Sequence, residues 1–193
     1  VMIEKDFLKV FSSVSADLFV NRITNYNPVT ADNLKKMTNN ITSVTENILP
    51  GEKIDCVVYG CTSGTIVSGY DSIKKKINIA KPDALVTAPS TAALNALKKK
   101  NIKKISIVTP YIKSVNDDVV NFFKNNDFKI SSNTYFNIES DVDIGKVDQD
   151  QLFEILSKID HKDAEALFVS CTSLPVLNIC LLYTSPSPRD DEL

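Results

Sequence analysis

Two segments of the sequence carry a cysteine after the same pattern of residues. DCVVYGCTS spans residues 55–63 and EALFVSCTS spans residues 165–173, and in each an acidic residue precedes a run typical of a buried strand and then Cys-Thr-Ser. Cys61 and Cys171 therefore follow the carboxyl ends of two predicted strands, where parallel α/β sheets form their ligand crevices. The repetition predicts two similar halves, each of which contributes one thiol to a shared cleft.

These two thiols are predicted to be reactive because each lies just ahead of a predicted helix. Unpaired backbone N–H groups and the helix dipole favour negative charge there, so we expect the thiol pKa to fall below its usual value of about 8.5. The same N–H groups can bind a substrate carboxylate, and Gly64 lets the backbone approach a ligand closely. The neighbouring hydroxyls predicted to join them are those of Thr62, Ser63, Thr172 and Ser173.

Other roles for the cysteines fit the sequence less well. A cysteine inside a strand is usually a small buried hydrophobe, and we expect this of Cys56. For Cys61 and Cys171, the duplicated Cys-Thr-Ser context favours a functional role over that structural one. The spacing of the cysteines is unlike that of metal fingers, and His161 is the single imidazole in the sequence, so no metal site is predicted.

A third segment, TPYIKSVN at residues 109–116, follows another predicted strand. Thr109 and Pro110 form a helix-initiation signal, with Thr109 as the cap and Pro110 in the first turn. Tyr111 is then expected at the same sheet edge as the cysteines, where its hydroxyl can donate a hydrogen bond to an enolate oxygen. Simple packing of Tyr111 over the helix start is equally consistent with the sequence. Thr109 is also a predicted substrate contact.

Short β-rich runs alternate with helical stretches along the chain, which is typical of a parallel α/β fold. The predicted strands are residues 16–23, 55–60, 83–88, 103–109, 128–136 and 165–170. The predicted helices are residues 4–12, 30–48, 65–79, 89–100, 110–125 and 148–159, with a loop at 140–147. The strand-to-helix junctions at residues 60–65 and 109–111 must position Cys61 and Tyr111, and the end of the predicted strand at 165–170 must position Cys171.

Composition narrows the class of protein. With 43% hydrophobic and 24% charged residues in 193 positions, the chain can form a packed core. A net charge of -2 and a pI near 5.5 argue against nucleic acid as a partner. No apolar run reaches about 18 residues, so no membrane span is predicted. The first residues lack a secretory pattern, so we expect a cytoplasmic protein with reduced cysteines.

Both ends of the sequence depart from the expected pattern. The Ser/Pro-rich residues from Leu181 onward break the strand and helix rhythm and resemble a translated sequencing adapter. A fold of this type normally begins with a strand, whereas this chain begins with a predicted helix. We therefore expect one domain over residues 1–180, truncated at both ends, followed by a non-native tail at 181–193.

The motifs YGCTSGT around Cys61, TPY around Tyr111 and FVSCTSL around Cys171 resemble one family. This is the maleate isomerase and arylmalonate decarboxylase branch of the aspartate/glutamate racemase superfamily, and the resemblance extends from Ile3 to about Ile179. The segments EKDF, VNRITNYNPVT and ILPGEKIDC most resemble the ectoine-utilisation racemase-like proteins of that branch.

The resemblance implies two Rossmann-like parallel-sheet lobes related by a pseudo-twofold axis, with the site between them. It implies a cofactor-independent racemase or cis-trans isomerase acting beside a carboxylate of a small acid. Cys61 is then the nucleophile or base, Cys171 the opposing acid or base, and Tyr111 a carboxylate or enolate contact. Decarboxylation is disfavoured because the decarboxylases of the family keep only the second cysteine. Proteins of this kind are often homodimers.

Two other function classes stay open at this point. The first is a protein of the same fold that binds small carboxylates but has lost catalysis. The second is a thiol redox protein that uses Cys61 and Cys171, which is disfavoured because the sequence has no C-x-x-C motif.

Overall fold

Parallel strands form two sheets in the computed structural model of this chain. The structure describes residues 2–11, 15–159, 163–177 and 179. The first sheet pairs β1 (Cys56–Val58) with β2 (Leu85–Thr87). In the second, β3 (Lys104–Thr109) lies between β4 (Lys129–Tyr135) and β5 (Ala166–Val169). The expected tail at 181–193, together with His161 and Cys180, lies outside the described residues.

Helices connect these strands and cover the sheets. The helices are α1 (Met2–Phe11), α2 (Ala31–Met37), α3 (Ile41–Glu46), α4 (Thr62–Ser68), α5 (Tyr70–Ala80), α6 (Pro89–Lys99), α7 (Lys113–Lys124), α8 (Asp141–Ile144) and α9 (Gln149–Lys158). A short 3₁₀ turn, Thr38–Asn40, joins α2 to α3. Since the strands within each sheet run parallel, their carboxyl ends share one edge, and the loops at that edge carry both Cys-Thr-Ser motifs.

Each sheet has its own hydrophobic cluster. Ile105 and Ile107 of β3 are fully buried against α7, whose Val119 and Phe123 repeat at helical spacing. In the smaller cluster, Ile73 of α5 packs against the β1–β2 sheet. Burying such side chains contributes about 1.5–3 kcal/mol each. The central strand β3 is buried on both faces from Ile105 to Thr109, as expected for a strand with a neighbour on each side in a covered parallel sheet.

The predicted strand at residues 16–23 is wrong. The chain there is irregular, and Phe19 and Val20 are exposed. A strand requires a neighbour for its backbone hydrogen bonds. Here side chains hold the segment instead: the Asn21 amide donates to the Val44 carbonyl oxygen at 3.0 Å, and Arg22 pairs with Glu4 at 2.5 Å.

The predicted helix at 30–48 is interrupted by the 3₁₀ turn and ends at Glu46. Thr and Asn have low helix propensity, and the Thr38 hydroxyl donates to the Lys35 carbonyl oxygen at 2.8 Å. The predicted loop at 140–147 contains α8, whose cap Ser140 accepts the Asp143 N–H at 3.4 Å. The helix predicted at 65–79 is divided at Gly69, where φ is 81°, into α4 and α5. Apart from the helix predicted at 110–125, the remaining predicted helices and strands are present with small shifts at their ends.

The helix predicted to begin at Pro110 begins at Lys113 instead. Pro110 and Tyr111 lie outside the helix, and their carbonyl oxygens accept the N–H groups of Ile138 and Asn137, at 2.9 and 3.2 Å. Thr109 is therefore not a helix cap. In the part of the chain that the structure describes, no helix is long and apolar enough to cross a membrane.

Candidate active site

Cys61 lies where β1 passes into α4. It is the N-cap residue of α4, and its sulfur accepts the Gly64 N–H at 3.3 Å. The Ser63 hydroxyl lies 3.9 Å from the same sulfur. The side chain is only partly exposed, and it packs against both hydrophobic clusters. The thiol therefore lies at the junction of the two sheets.

Cys171 occupies the corresponding place after β5. Its backbone has a positive φ of 90°, which is uncommon for a residue other than glycine. A turn follows it, rather than the predicted helix. The Leu174 N–H donates to the Cys171 carbonyl oxygen at 3.2 Å and closes this turn. Like Cys61, Cys171 is only partly exposed.

The two cysteine loops are joined directly. The Thr172 hydroxyl donates a 2.7 Å hydrogen bond to the carbonyl oxygen of Gly60. Gly60 precedes Cys61 and Thr172 follows Cys171, so the bond holds the two thiol-bearing loops side by side. The charge on Cys61 also affects the ionisation of Cys171, raising its pKa. The structure thus brings the two predicted cysteines to one place.

The Tyr111 hydroxyl belongs to the same cluster. Tyr111 is 2% exposed, and the Ser170 hydroxyl donates to its oxygen at 3.4 Å. Burial raises the pKa of Tyr111 well above its ordinary value, and the charges of Cys171 and Cys61 raise it further. The hydroxyl therefore stays protonated and is available as a hydrogen-bond donor beside both thiols.

The predicted lowering of the thiol pKa values is wrong. Burial raises the pKa of Cys61, although hydrogen bonds from the Gly64 backbone and the Ser63 side chain oppose the effect. Burial likewise raises the pKa of Cys171 to about 12, against hydrogen bonds from the Ser173 backbone and Tyr111. The Gly64 N–H beside Cys61 and the Ser173 N–H beside Cys171 are present, but they do not compensate for the loss of solvent around the thiolate.

Four further residues were predicted as substrate contacts: Thr62, Ser63, Gly64 and Thr109. Thr62 and Ser63 are buried at the start of α4, with Gly64 beside them. A β-carbon on Gly64 would lie 2.9 Å from the Cys61 sulfur, so only glycine fits there. Thr109 is fully buried, and its hydroxyl donates to the Asn116 side-chain oxygen at 3.0 Å.

Residues near the thiols also include three that sequence reasoning missed, namely Asp141, Tyr59 and Ser170. Ser173 was predicted as a substrate contact, but its hydroxyl donates to Asp141 at 2.9 Å. The charge of Asp141 raises the pKa of both cysteines. Ser170 directly precedes Cys171, and its hydroxyl contacts that of Tyr111. Ser170 aligns with Gly60 in the repeated motif, which was a usable signal for its position.

The Tyr59 hydroxyl is buried beside Cys61. If Gly64 carried a β-carbon, that atom would lie 3.0 Å from the Tyr59 oxygen and 2.9 Å from the Cys61 sulfur, so the two side chains meet at Gly64. The oxygen has no hydrogen-bond partner among the described residues. Tyr59 lies on the buried face of β1 with Val57, whereas Cys56 is exposed on the opposite face. The prediction that Cys56 is buried is therefore wrong.

The described residues contain no group of three or more His, Cys, Asp or Glu side chains that could hold a metal ion. A cavity of about 520 Å³ lies at the other edge of the first sheet, lined by Ile54, Ala84 and residues of the adjacent loops. Lys81 in its wall donates to the carbonyl oxygens of Leu49 and Glu52 at 2.8 and 2.7 Å. This cavity is remote from the cysteines, so we do not assign it to their site.

Fold and site together define a two-lobed α/β protein with paired cysteine loops. Residues 67–184 match the arylmalonate decarboxylase family, and the chain belongs to that family. The resemblance to the maleate isomerase and arylmalonate decarboxylase branch of the aspartate/glutamate racemase superfamily is therefore confirmed.

Maleate isomerases are similar in sequence. The chain is 23% identical to the enzyme of Geobacillus stearothermophilus over 158 residues, which is 77% of this chain and 62% of that one. It is 21% identical to the enzyme of Nocardia farcinica over 134 residues, or 64% of this chain and 53% of the other. The chain thus matches less than two thirds of the length of either relative.

Solved structures confirm the two-lobed Rossmann-like fold. A maleate isomerase mutant from Pseudomonas putida S16 with maleate has a TM-score of 0.82 at 17% identity, covering 95% of this chain and 80% of that one. A cysteine-to-serine mutant of the Nocardia farcinica maleate cis-trans isomerase carries a covalently bound succinylcysteine intermediate. Its TM-score is 0.80 at 18% identity, with 92% of this chain and 76% of that one covered.

Alkylation of Cys171 by iodoacetamide is expected to accelerate about tenfold for each pH unit up to strongly alkaline pH. The thiolate is the reactive form, and the folded-state pKa of Cys171 is about 12. Peptide-resolved mass spectrometry separates this cysteine from the others, with a small free thiol as control. A rate that levels off near the ordinary thiol pKa would contradict the burial argument. The free energy of unfolding should also fall as the pH rises from about 8.5 toward 12, because the Cys171 thiol loses its proton at lower pH in the unfolded chain than in the folded protein.

Tyr59→Phe is expected to leave the free energy of unfolding unchanged or slightly higher, because no hydrogen bond is lost and a buried unpaired hydroxyl is removed. Tyr70→Phe is the matched control. Its hydroxyl donates to the Val86 carbonyl oxygen at 2.6 Å, so its loss should cost about 1 kcal/mol. Urea denaturation of both variants measures the difference. Equal destabilisation of the two would show that the Tyr59 hydroxyl has a partner.

Proposed function

We propose that this protein is a cofactor-independent isomerase that acts beside the carboxylate of a small acid, with Cys61 and Cys171 as its reacting thiols. The observation that carries the proposal is the Thr172–Gly60 hydrogen bond, which joins the two cysteine loops. Further support comes from the Tyr111 hydroxyl, which lies beside both thiols. The maleate isomerases among the relatives support the reaction class.

The electrostatics of the pair suit a two-thiol mechanism. A negative charge on Cys61 raises the pKa of Cys171, so when Cys61 is a thiolate, Cys171 keeps its proton. One group is then a base and the other an acid at the same time. In a racemisation, the Cys61 thiolate removes the α-proton and the electron pair delocalises into the carboxylate. Cys171 gives its proton to the opposite face and becomes the thiolate.

The same pair can perform cis-trans isomerisation. The Cys61 sulfur forms a bond to one carbon of the double bond, and the π electrons move onto the neighbouring carboxylate as an enediolate. Rotation about the resulting single bond follows, and loss of the sulfur restores the double bond in the trans form. The covalent succinylcysteine of the Nocardia farcinica mutant supports a sulfur–carbon bond of this kind.

In either reaction, the developing charge is on a carboxylate oxygen. We assign its stabilisation to Tyr111, because a buried hydroxyl that stays protonated is a strong donor in a site with little water. The Ser63 hydroxyl lies near the Cys61 sulfur, which accepts the Gly64 N–H. Ser63 and its neighbour Thr62 are proposed to orient the substrate. The predicted contacts Thr172 and Ser173 act differently, since their hydroxyls already bond to Gly60 and Asp141.

Proton NMR in deuterium oxide tests the proposal with the full-length protein and a panel of small diacids and amino acids. Loss of an α-proton signal identifies racemisation-type chemistry, and a new olefinic signal identifies cis-trans isomerisation. Pretreatment with iodoacetamide should abolish either change, and substrate should protect. Saturable binding with no exchange and no new signal across the panel would reject the enzyme.

A binding protein without catalysis is the second candidate. The raised pKa of both thiols favours this candidate. Thiols that are neutral at pH 7 are poor nucleophiles, and a site that only binds its ligand does not need a thiolate. Such a protein would bind a small carboxylate without introducing solvent deuterium. A role in ectoine utilisation, a cytoplasmic location and a homodimeric state remain predictions from the sequence.

A further inference from the structure

Asp141 is held at the candidate site through its side chain and through its backbone. Its oxygen accepts the Ser173 hydroxyl at 2.9 Å, and its own backbone N–H donates to the Asn27 side-chain oxygen at 3.1 Å. Helix α8, which begins at Asp141, packs against the loop that carries Cys171. A β-carbon on Gly145, which follows the last residue of this helix, would lie 3.7 Å from the Ser173 carbonyl oxygen.

The charge of Asp141 reaches both thiols. It raises the pKa of Cys61 and that of Cys171, although the two cysteines belong to different sheets. Coulomb interactions weaken with distance and are screened by water and salt. Geometry places the carboxylate at this site as well: it accepts the hydroxyl of Ser173, two residues after Cys171, and the Thr172–Gly60 bond joins that loop to the Cys61 loop.

No protein cation neutralises this carboxylate within the described ranges. The ion pairs formed there involve other acidic residues, and no Lys or Arg nitrogen lies within 4.0 Å of Asp141. Among the described residues, the side-chain donor to this carboxylate is the neutral Ser173 hydroxyl. The described part of the site thus presents a carboxylate with remaining acceptor capacity, which repels a second anion and attracts an N–H donor.

We propose that Asp141 selects the substrate class: a small acid with one carboxylate and a nitrogen that donates N–H, rather than a dicarboxylate. This inference rests on the proposed function, because it places the substrate between Cys61 and Cys171. The nitrogen, as an amide or a protonated amine, donates to Asp141. The single carboxylate lies toward the Tyr111 hydroxyl.

Maleate and maleamate form a matched pair of probes, because one carboxylate oxygen of the first is replaced by an NH₂ group in the second. Titration calorimetry with the full-length protein should show at least tenfold tighter binding of maleamate. Asp141→Asn should abolish or reverse this preference, because an amide tolerates the second carboxylate. The control is Asp143→Asn, which removes an exposed charge from the same helix and should keep the wild-type preference.

The outcomes separate this inference from the proposed function. A wild-type protein that prefers maleate, or an Asp141→Asn variant with the wild-type preference, overturns the role of Asp141 alone. Absence of binding for both probes overturns the role together with the proposed site. Preference for maleamate with no turnover of any acid supports the role of Asp141 and rejects the isomerase. The wild-type preference decides the question even if Asp141→Asn does not fold.

Discussion

Replacing Cys61 with serine is expected to lower turnover by about 10³-fold in the full-length protein. A positioned acid, base or nucleophile contributes factors of this size, and a serine hydroxyl is far less acidic and less nucleophilic than a thiol. Fold and stability should change little, because serine can still accept the Gly64 N–H that the Cys61 sulfur accepts at 3.3 Å.

The matched control for this variant is Cys56→Ser. Cys56 belongs to the same strand segment but is exposed on the other face of the sheet. It should keep full activity, and both variants should show the circular dichroism of the parent. Turnover in Cys61→Ser within a few fold of the parent would remove the base or nucleophile role from this residue.

Replacing Cys171 with serine is expected to lower turnover by about 10²–10³-fold and to reveal the chemistry of the first step. If the reaction passes through a sulfur–carbon bond, Cys61 still adds to an unsaturated cis acid, but the adduct resolves slowly. Intact-protein mass spectrometry should then show the added mass of one substrate molecule. A reaction by proton transfer alone leaves the mass unchanged.

The double variant Cys61→Ser/Cys171→Ser provides the control for the adduct. It should remain unmodified under the same conditions, and a Cys56→Ser background removes the exposed thiol as a source of nonspecific addition. Covalent addition that persists in the double variant would assign the adduct to another nucleophile. Unreduced turnover in Cys171→Ser would leave this cysteine without a catalytic role.

The sequence predicted the strand ends well because local patterns determine them. Val57 and Ile107 belong to apolar runs that form buried strands, and the residues after such runs lie at the sheet edge where parallel sheets bind ligands. The repeated Cys-Thr-Ser motif therefore led to both cysteine loops. The family resemblance, carried by the same motifs, predicted the two-lobed fold.

Features that depend on long-range contacts were beyond the sequence. Asp141 is distant from both cysteines in the chain, and only the packing of α8 against Ser173 brings its charge to the thiols. The thiol pKa values depend on desolvation, which a motif does not encode, so the expected lowering became a rise. The absence of a strand at residues 16–23 also required knowledge of its neighbours, since an apolar run without a partner strand stays irregular.

The hydrogen bond between Thr172 and Gly60 joins residues 112 positions apart. The distance between the two sulfurs is consequently a property of the assembled molecule, and neither sheet alone can define it. A small acid bound across this seam contacts both sheets and stabilises their association by mass action. Thermal unfolding in the presence of ligand should accordingly proceed as one cooperative transition that shifts to higher temperature as a whole, and a peptide covering either half should bind no ligand.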